Sequence, residues 1–259
     1  GDAPETFAIA LAPLVLWAFS RLRRTASPGD VILAAVALAA LVVSHNLMAL
    51  LFFAMLLAWL AWELAFGPMF VGAWILEGNG SQAAARGKVV AALALALALG
   101  LGLVACMWLP AVLERNAIQF RNVPSGTFFD FHRHFVSVQN IFAPAQFFDL
   151  GATQVRFRYS LGVAQWFLGG LGALSVFSPL ARRLSALFFA FASLTAIYLA
   201  LPGSAKVWEA FPLMGYLQFP TRLLGPAAVS LAVLAGAAVS WREPTRHPQR
   251  ALACAAAAR

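Results

Sequence analysis

The chain has 259 residues and a formal net charge of +8, with 62% hydrophobic residues, only 11% charged ones and a mean hydropathy of +0.80. A water-soluble domain of this length needs far more polar surface to cover itself, so composition excludes that class. The basic residues stand in short clusters between apolar runs, without the aromatic-interleaved stripe of a nucleic-acid-binding face, so membrane topology rather than nucleic acid accounts for them.

The sequence therefore predicts an all-α, polytopic transmembrane helix bundle of about seven spans plus the start of another, in a single membrane domain over residues 1–259, with the lipid bilayer as its first partner. A first helix is expected from about Pro4 to Phe19, with Pro4 at a tolerated first-turn position and Glu5 suited to the positive end of the helix dipole. It ends in Arg21, Arg23 and Arg24. The apolar stretch from Val31 to Phe66 would be about 54 Å long as one helix at 1.5 Å per residue, against roughly 30 Å of hydrocarbon. The polar cluster inside it is Ser44-His45-Asn46, where a break or turn is expected. Further spans read as Val89 to Leu109, Leu161 to Phe177, Leu184 to Leu201 and Leu223 to Trp241, with Pro and Gly marking the boundaries. Between the fourth and fifth lies a polar interruption, residues 110–160, expected to be one long extracytoplasmic loop. The chain opens at Gly1 without an initiator Met or a signal-peptide pattern and stops inside an apolar run that begins at Ala251, the pattern expected of an internal fragment.

If residues 31–66 turn at Ser44-His45-Asn46, ten basic residues share the side of Arg21 and seven lie opposite; if they form one span the count is again ten against seven. Loop length separates the two, because the positive-inside rule holds for short loops and span ends. With the turn, every short connection is basic and cytoplasmic. The 110–160 loop, the segment from Pro202 to Thr221, Glu5 and Ser44-His45-Asn46 then face outward together. The runs Gly100-Leu101-Gly102, Gly169-Gly170-Leu171-Gly172 and Ala91 to Ala98 read as small-residue helix packing. Asn79-Gly80-Ser81 matches a glycosylation sequon but reads as a turn, because this topology puts it in the cytoplasm.

His45 and Asn46 either serve a partner or pathway or cap helices and meet headgroups. Glu114-Arg115 follows Trp108-Leu109-Pro110 where a helix leaves the membrane, a place for an interfacial ion pair or a binding group. His132-Arg133-His134 has no third ligand in register, so no metal site is indicated and solvated loop histidines are the plainer reading. Asp130 and Asp149 are carboxylates available for general-base work. Arg156 and Arg158 suit phosphate or lipid headgroups. Trp208 and Tyr216 fit an interfacial aromatic belt, while Pro212 and Pro220 shape a re-entrant-like path that must be buried in protein or line a cavity. Cys106 and Cys254 form no disulfide or metal pattern, and no cofactor is implied.

Gly1-Asp2-Ala3-Pro4-Glu5, Ser44-His45-Asn46, Trp108-Leu109-Pro110-Ala111-Val112-Leu113-Glu114 and Gln218-Phe219-Pro220-Thr221-Arg222 together resemble the bacterial integral membrane proteins labelled "6-pyruvoyl-tetrahydropterin synthase-related domain". Thr221 departs from that pattern, which often carries Trp there, and nothing in the chain reproduces the three-histidine zinc site of a true pterin synthase. The family is similar in layout to GT-C membrane glycosyltransferases. The resemblance implies a multi-pass protein of the bacterial inner membrane that takes a sugar from a polyprenyl-phosphate donor at the outer face, or a non-catalytic relative. It also implies a main base in an earlier outer loop. On this reading Glu114 and His45 are catalytic candidates, and Arg222, Asn46, Glu5 and Gln218 bind substrate. A transporter or flippase should show mid-span ionisable residues and an internal repeat; a cell-envelope scaffold would have no chemistry to lose.

Overall fold

A computed structural model of the protein describes residues 3–67, 80–114, 130–144, 159–177 and 180–239. Among these residues every regular element is helical. The long helices are α1 (Ala3–Thr25), α2 (Pro28–Ser44), α3 (Asn46–Phe66) and α4 (Gly80–Leu103), the last continued by α5 (Ala105–Leu113). A 3-10 turn (Phe131–Arg133) and the short α6 (Val138–Ile141) precede α7 (Val163–Ala173) and α8 (Leu180–Ala200). Two short helices, α9 (Ala205–Ala210) and α10 (Pro212–Gly215), and a 3-10 turn (Pro220–Leu223) then lead into α11 (Leu224–Val239).

Among the described residues, five helices are long and apolar enough to cross a membrane: Ala3–Thr25, Asn46–Phe66, Ala84–Leu103, Arg183–Ala200 and Pro220–Ala238. Two shorter apolar helices, Pro28–Ser44 and Val163–Phe177, pack among them. The outer surface is apolar too: on α8, Leu187, Phe191, Leu194 and Tyr198 follow one another along one face, with Phe191 69% exposed. A surface of that kind suits lipid and not water. The chain is a multi-pass membrane protein.

The first helix runs on to Thr25, so Arg23 and Arg24 sit in its last turn, where cations favour the helix dipole. Residues 31–66 are indeed interrupted. His45 has extended backbone (φ −165, ψ 115) and closes α2 while opening α3. The connection between α1 and α2 is built around one carboxylate: Asp30 accepts from Arg21 Nε at 2.6 Å, from Ser27 Oγ at 2.9 Å and from Thr25 Oγ1. Ser27 caps α2 by accepting from the Asp30 N–H, and Pro28 takes a first-turn position that needs no donor.

Contacts at the two ends fix the direction of each helix. At one end Arg23 Nη2 pairs with Glu63 Oε2 at 3.1 Å, Ser185 Oγ donates to Glu63 Oε1, and Trp62 Nε1 donates to the Leu184 carbonyl. The end of α1, the end of α3 and the start of α8 therefore meet there. At the opposite end a methyl at Gly225 would lie 2.6 Å from Met48 Cε and 3.2 Å from Ile9 Cγ1, so the starts of α1, α3 and α11 converge. Hence α2 and α3 run antiparallel as a hairpin with a one-residue turn. The Val136 N–H donates to the carbonyl of Ala200, and the Leu161 N–H to that of Ile141, tying residues 130–144, the end of α8 and the lead-in to α7 to the same end.

Helix backbones approach closely where glycine permits it. A methyl at Gly172 would lie 1.7 Å from the Leu234 carbonyl oxygen, one at Gly169 would lie 2.7 Å from Leu231 Cδ2, and one at Gly100 would meet Leu38 and Ala35. Gly102 and Gly170 face open space, so the packing expected of both runs belongs to alternate members of each. Between α4 and α5 the helix breaks at Val104, and the Leu101 carbonyl takes up the Trp108 indole N–H at 3.0 Å. Asp149, Arg115, Arg156, Arg158, Asn79, Trp241 and the run from Ala251 lie outside the described residues.

Candidate functional site

A cavity of about 800 Å³ opens at the end of the bundle where α1, α3 and α11 begin. Four stretches line it. The first turns of α1 contribute Glu5, Thr6 and Ile9; the central loop contributes Arg133, His134, Phe135, Val136 and Asn140. The lead-in to α7 adds Tyr159, Ser160, Leu161 and Gln165, and the last wall is Phe219, Thr221, Arg222, Leu224, Gly225 and Ala228. One carboxylate, two guanidiniums and one imidazole thus share a cavity whose remaining wall mixes apolar side chains with the uncharged polar ones of Thr6, Asn140, Tyr159, Ser160, Gln165 and Thr221. Such a lining fits a ligand with an anionic head and an apolar body.

Arg222 is held from its own turn. Gln218 has a left-handed backbone (φ 64), which lets the Phe219 N–H bond the Leu217 carbonyl at 2.7 Å. Pro220 then opens a 3-10 turn, and Arg222 Nη1 donates to the Leu217 carbonyl at 2.6 Å. The guanidinium lies over the Phe219 ring, 4.8 Å from its centroid, while the His134 ring meets Phe219 edge-on at 4.7 Å. Phe219 therefore carries a cation and an imidazole side by side. Gly162 (φ 73) turns the chain into α7, a backbone conformation that side chains disfavour, and so brings Tyr159, Ser160 and Leu161 to the cavity.

Arg133 and His134 follow a tightly anchored turn. Asp130 caps it, accepting from the His132 N–H, and His132 Nδ1–H donates to Asp130 Oδ1 at 2.7 Å. The other ring nitrogen of His132 lies 3.1 Å from Glu209 Oε1 on α9. Phe131 stacks on His132 and on Trp208, a fully buried side chain whose indole N–H donates to the Leu199 carbonyl. Hydrogen bonds to Glu209 and Asp130 hold the His132 imidazole above its ordinary value of 6.5. The His132 ring and backbone hold Asp130 below its ordinary 3.8.

Of the six residues marked in the sequence, the structure brings Glu5 and Arg222 together in the cavity. The other four do not line it. His45 caps α3 through Nδ1, which accepts from the Met48 N–H at 3.2 Å, and Asn46 Oδ1 accepts from the next N–H. Glu114 is exposed at the end of α5, its N–H donating to the Pro110 carbonyl. Gln218 supplies the turn beneath Arg222. Arg133, His134, Tyr159 and Gln165, with Thr6, Asn140, Ser160 and Thr221, are the polar lining that sequence reasoning did not assign to the site. His134 stands two residues from His132 with the same chemistry, and only the 3-10 turn sends the two rings to different neighbours. Among the described residues no group of three or more His, Cys, Asp or Glu side chains is arranged to hold a metal ion.

No family model, curated protein or solved structure matches the chain.

Proposed function

We propose that the cavity binds the phosphate of a polyprenyl-phosphate-linked sugar at the outer face of a bacterial inner membrane, and that the protein is a GT-C-like glycosyltransferase or a non-catalytic relative. The observation that carries this reading is the convergence of Arg133, Arg222, His134 and Glu5 on one cavity of about 800 Å³. Guanidinium groups suit phosphate because their planar donors meet its oxygens in pairs. In this reading the acceptor hydroxyl oxygen bonds the sugar anomeric carbon as the bond from that carbon to the phosphate oxygen breaks. Glu5, the one carboxylate in the cavity lining, takes the hydroxyl proton in place of the base that the resemblance puts in an earlier outer loop, and Arg133 and Arg222 stabilise the departing phosphate. The apolar wall from Ile9 to Ala228 receives the first isoprene units. The end carrying Arg21, Arg23 and Arg24 is then cytoplasmic, as the positive-inside rule favours, and all seven apolar helices span.

Binding of a polyprenyl monophosphate to the protein in nanodiscs tests this. A charge-assisted hydrogen bond is worth about 1.5–3 kcal/mol, and about 1.4 kcal/mol is tenfold in affinity. Arg133→Ala, at an exposed site, should therefore raise Kd about tenfold or more, with the fold intact. Arg222→Lys should weaken binding too, because an ammonium cannot both bond the Leu217 carbonyl and present a planar fork. Glu5→Gln should abolish sugar transfer while keeping phosphate binding in a transferase. Binding unaffected by either arginine would remove the proposal.

A further inference from the structure

The turn that delivers Arg133 and His134 to the cavity is not fastened by apolar packing alone. Its fastening includes one imidazole between two carboxylates from different elements. Asp130 belongs to the same turn and Glu209 to α9, 77 residues along the chain. Phe131, stacked between His132 and the buried Trp208, supplies the apolar half of the joint. The very next residues, Arg133 and His134, are cavity lining. We propose that Asp130, His132 and Glu209 form a proton-dependent clasp that positions Arg133 and His134, so that the cavity grips an anion when His132 is protonated and loosens when it is neutral.

The geometry requires this sense. A neutral imidazole carries one N–H, so it can donate to Asp130 or to Glu209 but not to both; only the imidazolium donates from both nitrogens. Loss of the proton leaves one carboxylate facing a lone pair and opens the joint between the central loop and α9. The charged groups facing His132 are Asp130, Arg133 (whose Nε lies 3.9 Å from Asp130 Oδ2) and Glu209, with Lys206 one turn back on α9. The side chain of His132 is 48% exposed and that of Glu209 56%, so protons exchange freely with the medium on that side.

The direction of the pH dependence follows from the two shifts. His132 is raised in the folded protein, so its contribution is complete below 6.5 and is lost as pH rises through its higher folded value. Asp130 is lowered, so its contribution is complete above 3.8 and is lost as pH falls through its lower folded value. The clasp therefore opens on the alkaline side, as pH rises above 6.5 through the higher folded value of His132.

The effect on the cavity rests on the anion-site reading above, but the clasp can be read without a ligand. Spin labels at Val138→Cys and Lys206→Cys, in a full-length background with Cys106→Ser and Cys254→Ser, report the distance across the joint. A narrow distribution at pH 6 should broaden as pH rises through the His132 titration, which imidazole NMR locates. Glu209→Gln should bring the titration to lower pH and remove the broadening, because its amide N–H can donate to the bare nitrogen of the neutral ring, and His132→Gln should give the broad distribution throughout. Affinity for a polyprenyl monophosphate should fall several-fold over the same step, and the step should vanish in His132→Gln but survive in His134→Gln. A merely structural His132 would lower affinity equally at every pH, which overturns the proposal. So does a distance distribution unchanged from pH 5 to 9. If the distance responds as described and the wild-type protein binds no phosphate lipid, the clasp stands and the anion-site reading fails.

Discussion

Among the described residues, Ala26 and Gln218 adopt left-handed backbone without being glycine, and each does so where the chain has to stop a helix or turn sharply. Ala26 (φ 46) follows the last residue of α1, and its N–H donates to the Leu22 carbonyl, the pattern in which helices usually end on glycine. A side chain there costs about 1–2 kcal/mol, partly offset by the greater freedom of glycine in the unfolded chain. Ala26→Gly should stabilise the protein by about 0.5–1 kcal/mol, read as a rise in the denaturation midpoint in detergent. His45 shows where residue-level reading runs out. Its presence in an apolar stretch was a clear signal, but the same imidazole suits a pathway or a cap. In the structure it caps α3 by a bond three residues long, from the Met48 N–H to Nδ1. His45→Ala should cost about 1 kcal/mol and His45→Asn much less, because Asn is a good cap; an equal loss from both would contradict the capping role.

At the scale of elements, the glycines of α7 show what a sequence can and cannot reveal. Small residues in a membrane span point to close packing, and α7 does pack tightly on α11. Which glycines touch depends on helix rotation, and the run Gly169-Gly170-Leu171-Gly172 contains both kinds. Gly172→Ala drives a methyl into the Leu234 backbone and should destabilise by about 3 kcal/mol or more. Gly170→Ala meets open space and should be neutral or stabilising by up to about 1 kcal/mol. Similar effects from the two would contradict the α7–α11 contact. Glu63 carries a signal that was legible and passed over: it is the only charged residue from Val31 to Phe66. It is buried, and its ion pair with Arg23 joins α3 to α1 while Ser185 joins it to α8. Removing one partner of a buried pair leaves a charge without compensation, so Glu63→Ala should cost about 2 kcal/mol or more, with Arg23→Ala in the same background costing little further.

For the whole molecule, counting basic residues could not decide between one span and two over residues 31–66, because both topologies divide them alike. The break at His45 makes the stretch two helices, α2 and α3. It puts the start of α3 beside Ile9 and Gly225, and thereby collects Glu5, the central loop and the 201–223 segment at one end. The class and the seven apolar helices followed from hydropathy, since apolar length is a local property; the short helices α5, α6, α9 and α10 did not. The cavity did not, because its lining comes from four stretches up to 223 residues apart, Glu5 to Ala228, and no local pattern records that they meet. Sidedness is open to direct test. If the cavity end faces outward as proposed, cysteines at Ser137 and Lys206 should react with an impermeant maleimide applied to intact cells, and one at Thr25 only after permeabilisation.

The most direct test of the central claim is to photo-crosslink a diazirine-bearing polyprenyl monophosphate to the protein in nanodiscs and map the adducts by mass spectrometry. Adducts should concentrate on residues 5–9, 133–140, 159–165 and 219–228, be competed by unlabelled lipid and weaken in Arg133→Ala. Adducts spread over the exposed faces of α4 and α8, indifferent to competitor and to Arg133, would contradict it.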